Sequence, residues 1–235
     1  MTSKRSWIAA LALCSATAEL RAQSPAEAGD VSQLPAVAVP AHDSGSTFAI
    51  LLSGDGGWAD IDKRIAGRLS QHGVPVIGLN LRDYLKTKRT PDEIAAAVSS
   101  LAHSYGPRWH RSHVILVGFS RGANLAPFAV TRLAPDVRAE LRGMALIGLN
   151  RAANFKWHLQ DVFRDVTRDD DVPTLPELAQ IHDLPIVCVY GRDEHESGCL
   201  GTSPDVKRVE RKGGHHLDGD FEAVADIIRD ALVRP

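Results

Sequence analysis

The stretch that most constrains this chain runs from His113 to Phe128 and reads HVILVGFSRGANLAPF. It opens with an apolar, β-branched run of the kind found in strands buried on both faces of a parallel sheet. It then passes through Gly118-Phe119-Ser120-Arg121-Gly122, a G-x-S-x-G motif, into a small-residue, helix-compatible segment. Strand, sharp turn and helix are the context in which this motif forms a nucleophile elbow, with the Ser120 hydroxyl lifted above the sheet. Gly118 and Gly122 remove side chains that would collide where the strand meets the helix. The Arg121 N–H, at the helix N-terminus, becomes a donor for an oxyanion. A glycine-rich turn without chemistry is the plain alternative, and the apolar run ahead of the motif weighs against it.

The rest of the chain alternates strand and helix patterns. Residues 34–39 alternate around two prolines and fit a short edge strand. Residues 48–52 form an apolar strand that runs into Ser53-Gly54-Asp55-Gly56-Gly57-Trp58, and residues 60–71 carry Ile61, Ile65 and Leu69 on one helical face. A strand over 74–81 ends in Arg82-Asp83-Tyr84. Thr90, Pro91 and Glu93 then supply the N-cap, first-turn proline and capping-box acid of a helix. After the elbow and its helix come strands at 142–149, 184–190 and 206–209, and a closing amphipathic helix over 221–233. Residues 150–181 are the least patterned and read as a helical or looped excursion near the mouth of the site. The alternation implies an α/β fold with a mainly parallel sheet covered by helices on both faces.

A serine nucleophile needs a base, an acid that orients the base, and an anion site. In an open α/β sheet these gather at the C-terminal ends of the strands. The strand at 184–190 empties into Gly191-Arg192-Asp193-Glu194-His195-Glu196, where Glu194 is the preferred acid and Asp193 the alternative. The base lies in Lys212-Gly213-Gly214-His215-His216-Leu217-Asp218-Gly219-Asp220. His215, directly after the glycines, is preferred to His216. The order Ser, acid, His is the one the α/β-hydrolase arrangement requires. The second oxyanion donor falls in the loop after the first major strand, with the Asp55 N–H as candidate beside that of Arg121.

The N-terminus carries Lys4 and Arg5, a short Ala/Leu-rich apolar run and small residues at Ala16, Ala18 and Ala22. This is the pattern of an export signal over residues 1–23, followed by a polar linker over 24–33 and a domain over 34–235. Past the signal the chain keeps Cys188 and Cys199, and an even pair in an exported protein suggests a disulfide; two unrelated free thiols are the alternative. A net charge of −2 leaves no basic excess for neutralising nucleic-acid phosphates. No cysteine or histidine spacing of a metal site occurs, and no cofactor is expected.

Taken together, SGDGGW at 53–58, RTP at 89–91, GFSRGANLAPFA at 118–129, the YG at 190–191, Glu194, Cys199 and GGHHLDGD at 213–220 resemble the VirJ/AcvB family of bacterial periplasmic proteins. The resemblance spans nearly all of residues 48–235 and implies an α/β-hydrolase fold in the short, single-domain form without a large cap. It also implies export to the periplasm, Ser120 as nucleophile, and hydrolysis of aminoacyl-phosphatidylglycerol, notably the lysyl lipid, at the membrane surface. Short members are associated with type IV secretion, so secretion-system proteins are expected as possible partners.

This chain departs from the family pattern at Phe119, Arg121 and Asn124 of the elbow, where an acidic residue is expected at the last position. It departs again at Tyr84-Leu85-Lys86. Trp58, Asp83, Tyr84, Asp218 and Asp220 are the expected substrate contacts, the acids with Asp55 for an ammonium. Arg121 or Lys86 is expected to meet the lipid phosphate.

Overall fold

The computed structural model describes residues 31–42, 45–162 and 168–233. The chain enters through β1 (Ala36–Val39) and β2 (Thr47–Leu52), then passes through α1 (Asp60–Gln71), β3 (Val76–Leu79), the single turn α2 (Leu81–Tyr84) and α3 (Pro91–Arg108). β4 (His113–Phe119) leads directly into α4 (Arg121–Val130), followed by α5 (Pro135–Glu140) and β5 (Leu141–Ile147). The excursion holds two-residue strands β6 (Ala152–Ala153) and β7 (Val172–Pro173), then α6 (Thr174–Leu178). β8 (Ile186–Gly191), β9 (Lys207–Arg211) and α7 (Phe221–Leu232) complete the order.

The main sheet runs β1-β3-β2-β4-β5-β8-β9. β1 pairs antiparallel with β3, and every other neighbouring pair is parallel. The period-two alternation of a strand divides β2 between two cores. Phe48, Ile50 and Leu52 join α3 and α4 on one face, while Ala49 and Leu51 join α1 and α7 on the other. Arg64 and Arg68 of α1 reach across to Glu222 and Asp226 of α7, the second pair bidentate at 3.0 and 2.9 Å.

The expected capping box of α3 is present: Thr90 Oγ1 accepts the Glu93 N–H at 3.2 Å, and Glu93 Oε2 accepts the Thr90 N–H at 2.8 Å. The strand expected over 74–81 stops at Leu79, because Asn80 turns the chain and caps α2 by accepting the Asp83 N–H. β9 extends past the expected 206–209 through Lys207–Arg211, an edge strand whose charged residues hide its alternation. The expected signal segment lies outside the described residues, as does all of the linker except its last three residues. Those three, Val31–Gln33, form a 3-10 turn whose Val31 packs on the core. Among the described residues between β5 and β8, only the short β6–β7 ladder, a 3-10 turn and α6 rise above the sheet, so no large cap is present.

Cys188 of β8 and Cys199 of the 3-10 turn Gly198–Gly201 are joined in a disulfide, with both residues fully buried. The bridge closes the loop that carries Glu194 back onto its own strand.

Candidate active site

The chain leaves β2 for β3 on one side, then returns to β4 on the other, so the connections reverse direction between β2 and β4. An open sheet forms its crevice at such a point, beyond the C-terminal strand ends. Ser120 stands there, at the end of β4. Its φ of +52° is a left-handed value that costs a non-glycine residue on the order of 1–3 kcal/mol. The packing that enforces it is tight. A Cβ on Gly118 would lie 2.4 Å from the Gly122 carbonyl, and one on Gly122 would lie 2.0 Å from the Leu52 oxygen. The Ser120 N–H donates to the Ile147 carbonyl at 2.8 Å, fixing the elbow against the end of β5.

His215 comes to the same place from the loop after β9. A Cβ on Gly148, next to Ile147, would lie 2.7 Å from His215 Cε1, so the imidazole covers that glycine. The His215 ring also lies 5.4 Å, centroid to centroid, from that of Phe119, the residue before Ser120. The loop gains its shape from left-handed Gly213 (φ +80°) and Gly219 (φ +76°), and Leu217 anchors it in the core.

His215 Nδ1 lies 2.6 Å from Glu194 Oε1, and Glu194 Oε2 accepts the Gly191 N–H at 2.7 Å. Burial alone would raise the Glu194 carboxyl, but the hydrogen bonds from His215 and Gly191 outweigh it and hold the group below the ordinary carboxylate range. An ionised carboxylate only accepts, so Nδ1 donates and Nε2 is left as the basic nitrogen. The acid and histidine loops are locked back to back: the Asp193 N–H donates to Gly213 O at 3.0 Å, and a Cβ on Gly191 would lie 2.2 Å from Gly214 O.

Asp193, the alternative acid, makes no side-chain hydrogen bond to either histidine. His216 stacks edge-on to His215, 5.7 Å away, and its pKa is lowered by desolvation and by the neighbouring His215.

The loop after β2 packs against the elbow, where a Cβ on Gly54 would lie 3.4 Å from Ser120 Cβ. Its Asp55 carboxylate accepts from Arg121 Nε, with only 14% and 7% of the two side chains exposed. Arg121 also donates to Asn154 O at 2.7 Å and Lys156 O at 3.2 Å, and Trp157 Nε1 donates to Asp55 O at 3.0 Å. The Arg121 side chain thus clamps the loop carrying one candidate oxyanion donor to the residue carrying the other. Trp157 escaped the sequence reading because the excursion has no period, and a lone tryptophan there gives no signal of its partner.

A polar cleft of about 710 Å³ opens at this end of the sheet, with Arg121, Asn124, Glu194 and His215 in its lining. Asn124 Oδ1 accepts the Asn150 N–H at 2.8 Å and so ties α4 to the loop after β5. The other expected contacts stand outside this lining. Trp58 lies over Gly78 of β3, where a Cβ would be 2.0 Å from its ring. Tyr84 is buried, donating to Glu93 O at 3.0 Å with Arg89 over its face. Asp83 pairs with Lys86 at 2.6 Å, Asp220 pairs with Arg211, and Asp218 folds against Gly213. Arg121, expected near a lipid phosphate, is engaged by Asp55.

Solved structures with similar folds include several esterases. Est1E from Butyrivibrio proteoclasticus, bound to ferulic acid, is 12% identical over 84% of this chain and 93% of that one, with a TM-score of 0.58. A lipase-esterase related protein from Clostridium acetobutylicum is 13% identical over 85% and 99%, with a TM-score of 0.58. The Pyrococcus furiosus esterase Pf2001 is 15% identical over 91% and 95%, with a TM-score of 0.57. At these identities the likeness establishes the α/β-hydrolase fold. A search of curated proteins finds no match. The model of the bacterial virulence protein family VirJ matches residues 46–234, from the start of β2 through α7, and the chain belongs to that family.

Proposed function

We propose that the protein is an exported serine esterase that cleaves the ester bond of aminoacyl-phosphatidylglycerol, lysyl or alanyl, at the periplasmic face of the inner membrane. The observation that carries the hydrolase reading is the 2.6 Å contact between His215 and Glu194, made beside a strained serine elbow. His215 Nε2 takes the Ser120 proton as Oγ attacks the ester carbonyl. The Asp55 and Arg121 N–H groups receive the oxyanion. The glycerol oxygen leaves with the proton from His215, and water, activated by the same imidazole, releases the amino acid from the acyl-enzyme. Family membership and a cleft without a large cap support a bulky lipid ester, and a protonated α-amino group makes its carbonyl electrophilic.

Asn124 stands where the family pattern leads one to expect an acid, and its oxygen is spent on Asn150. The preference for lysyl over alanyl lipid is therefore expected to be weaker than the family resemblance implies. Lysyl- and alanyl-phosphatidylglycerol in mixed micelles, with amino-acid release as readout, test the assignment. Release from both supports it. Cleavage of short-chain esters alone removes the lipid substrate and leaves a general esterase.

A further inference from the structure

Two loops of the cleft carry charges that the fold does not use. Arg151 follows β5, and Asp193 and Glu196 follow β8; all three are exposed and line the cleft. None of the three side chains takes part in an ion pair or hydrogen bond among the described residues, whereas the cleft's Asp55 and Glu194 are both engaged. Arg192, beside Asp193 in sequence, is turned to Glu210 at 2.9 Å.

The two loops are nonetheless fastened to each other. The Gly198 N–H donates to Leu149 O at 2.6 Å, and Ser197 Oγ donates to the same oxygen at 3.4 Å. No ion pair joins Arg151 to Asp193 or Glu196 among the described residues, so a guanidinium on one loop and two carboxylates on the other line the cleft, together with Arg168 and Asp171.

We infer that the cleft is a two-pole subsite, in which Arg151 receives an anionic phosphodiester and Asp193 with Glu196 receives an ammonium group of the same ligand. A guanidinium presents a planar fork of donors to phosphate oxygens, and two carboxylates supply acceptors for the three donors of an ammonium. The ligand class is a zwitterionic ester bearing both groups. The inference rests on the reading of this cleft as the substrate site and adds which residues choose the substrate.

Isothermal titration calorimetry on the purified protein separates the poles without turnover. Glycerophosphoglycerol carries the phosphodiester alone, and lysinamide carries the ammonium groups alone. Arg151→Gln is expected to weaken glycerophosphoglycerol about three- to tenfold and to leave lysinamide as tight or tighter, with Arg151→Lys falling between, because an ammonium keeps the charge and loses the fork. Asp193→Asn with Glu196→Gln is expected to do the reverse. Matching thermal midpoints check that the variants fold, as expected for exposed side chains.

Failure of the wild-type protein to bind either probe overturns the inference, as does equal weakening of both probes by one variant. Charge-selective binding without cleavage of aminoacyl-phosphatidylglycerol would sink the proposed substrate and leave the subsite standing. Cleavage of that lipid without charge-selective binding would do the opposite.

Discussion

Glu194 grips His215 with one carboxylate oxygen and the Gly191 N–H with the other, at 2.6 and 2.7 Å. The carboxylate is therefore oriented by its own turn before it orients the imidazole. Replacing it by an amide keeps an acceptor for Gly191 but removes the charge that stabilises an imidazolium. Glu194→Gln is expected to lower kcat on a soluble ester by roughly 10³–10⁴-fold with little change in KM. Because the folded-state pKa of Glu194 is depressed, its contribution to stability is present above the ordinary carboxylate pKa and is lost as pH falls through the folded value. Chemical denaturation should show the variant less stable than wild type at pH 7, with the gap closing in acid.

Arg121 and Asp55 form a nearly buried pair that joins the elbow to the loop after β2. Removing one partner of such a pair leaves a buried charge without compensation, at a cost of about 3–5 kcal/mol. Arg121→Gln is expected to lower the urea midpoint accordingly and to depress kcat more than KM, because the loop bearing the Asp55 N–H loses its clamp. An unchanged kcat in a folded variant would remove the clamp's role.

Asp62 sits at the third position of α1, fully buried, where Oδ2 accepts the Ala59 N–H at 3.0 Å and Oδ1 has no hydrogen-bond partner. Desolvation pushes its pKa up to about 7. For an acid whose folded pKa is raised, stability is greatest below the unfolded value and declines as pH rises from about 4 to about 7. Asp62→Asn keeps the cap acceptor and removes the charge. The variant is expected to gain on the order of 2–4 kcal/mol over wild type at pH 8.5 and little at pH 4.5, read from denaturation at both pH values.

The Cys188–Cys199 bridge closes a short loop, with a sequence separation of 11. Constraining the unfolded chain over such a loop contributes about 3 kcal/mol. Cys188→Ala with Cys199→Ala is expected to lower stability by about that amount. It should also reduce turnover, since the same loop positions Glu194.

The elbow, the histidine loop and the alternation of strands and helices were legible because each is written locally. An apolar run precedes G-x-S-x-G, and two glycines precede His215. Glu194 is the third residue after Gly191, a spacing that lets its carboxylate reach back to the Gly191 N–H. The Arg121–Asp55 clamp was not legible. Its partners are 66 residues apart, and each charge had a plausible role facing a ligand. Trp58 and Tyr84 look alike in sequence whether an aromatic covers a substrate or a glycine of the sheet, and here Gly78 and the core claim them. The poles of the cleft were hidden for a related reason: Arg151 and Glu196 are ordinary surface charges until the fold joins their loops at Leu149 and Gly198.

The most direct measurement of the central claim is active-site labelling. Treating the purified protein with a fluorophosphonate and mapping the adduct by mass spectrometry is expected to find it on the peptide containing Ser120, with no labelling in a folded Ser120→Ala variant. An adduct on another residue, or undiminished labelling of Ser120→Ala, would contradict the account.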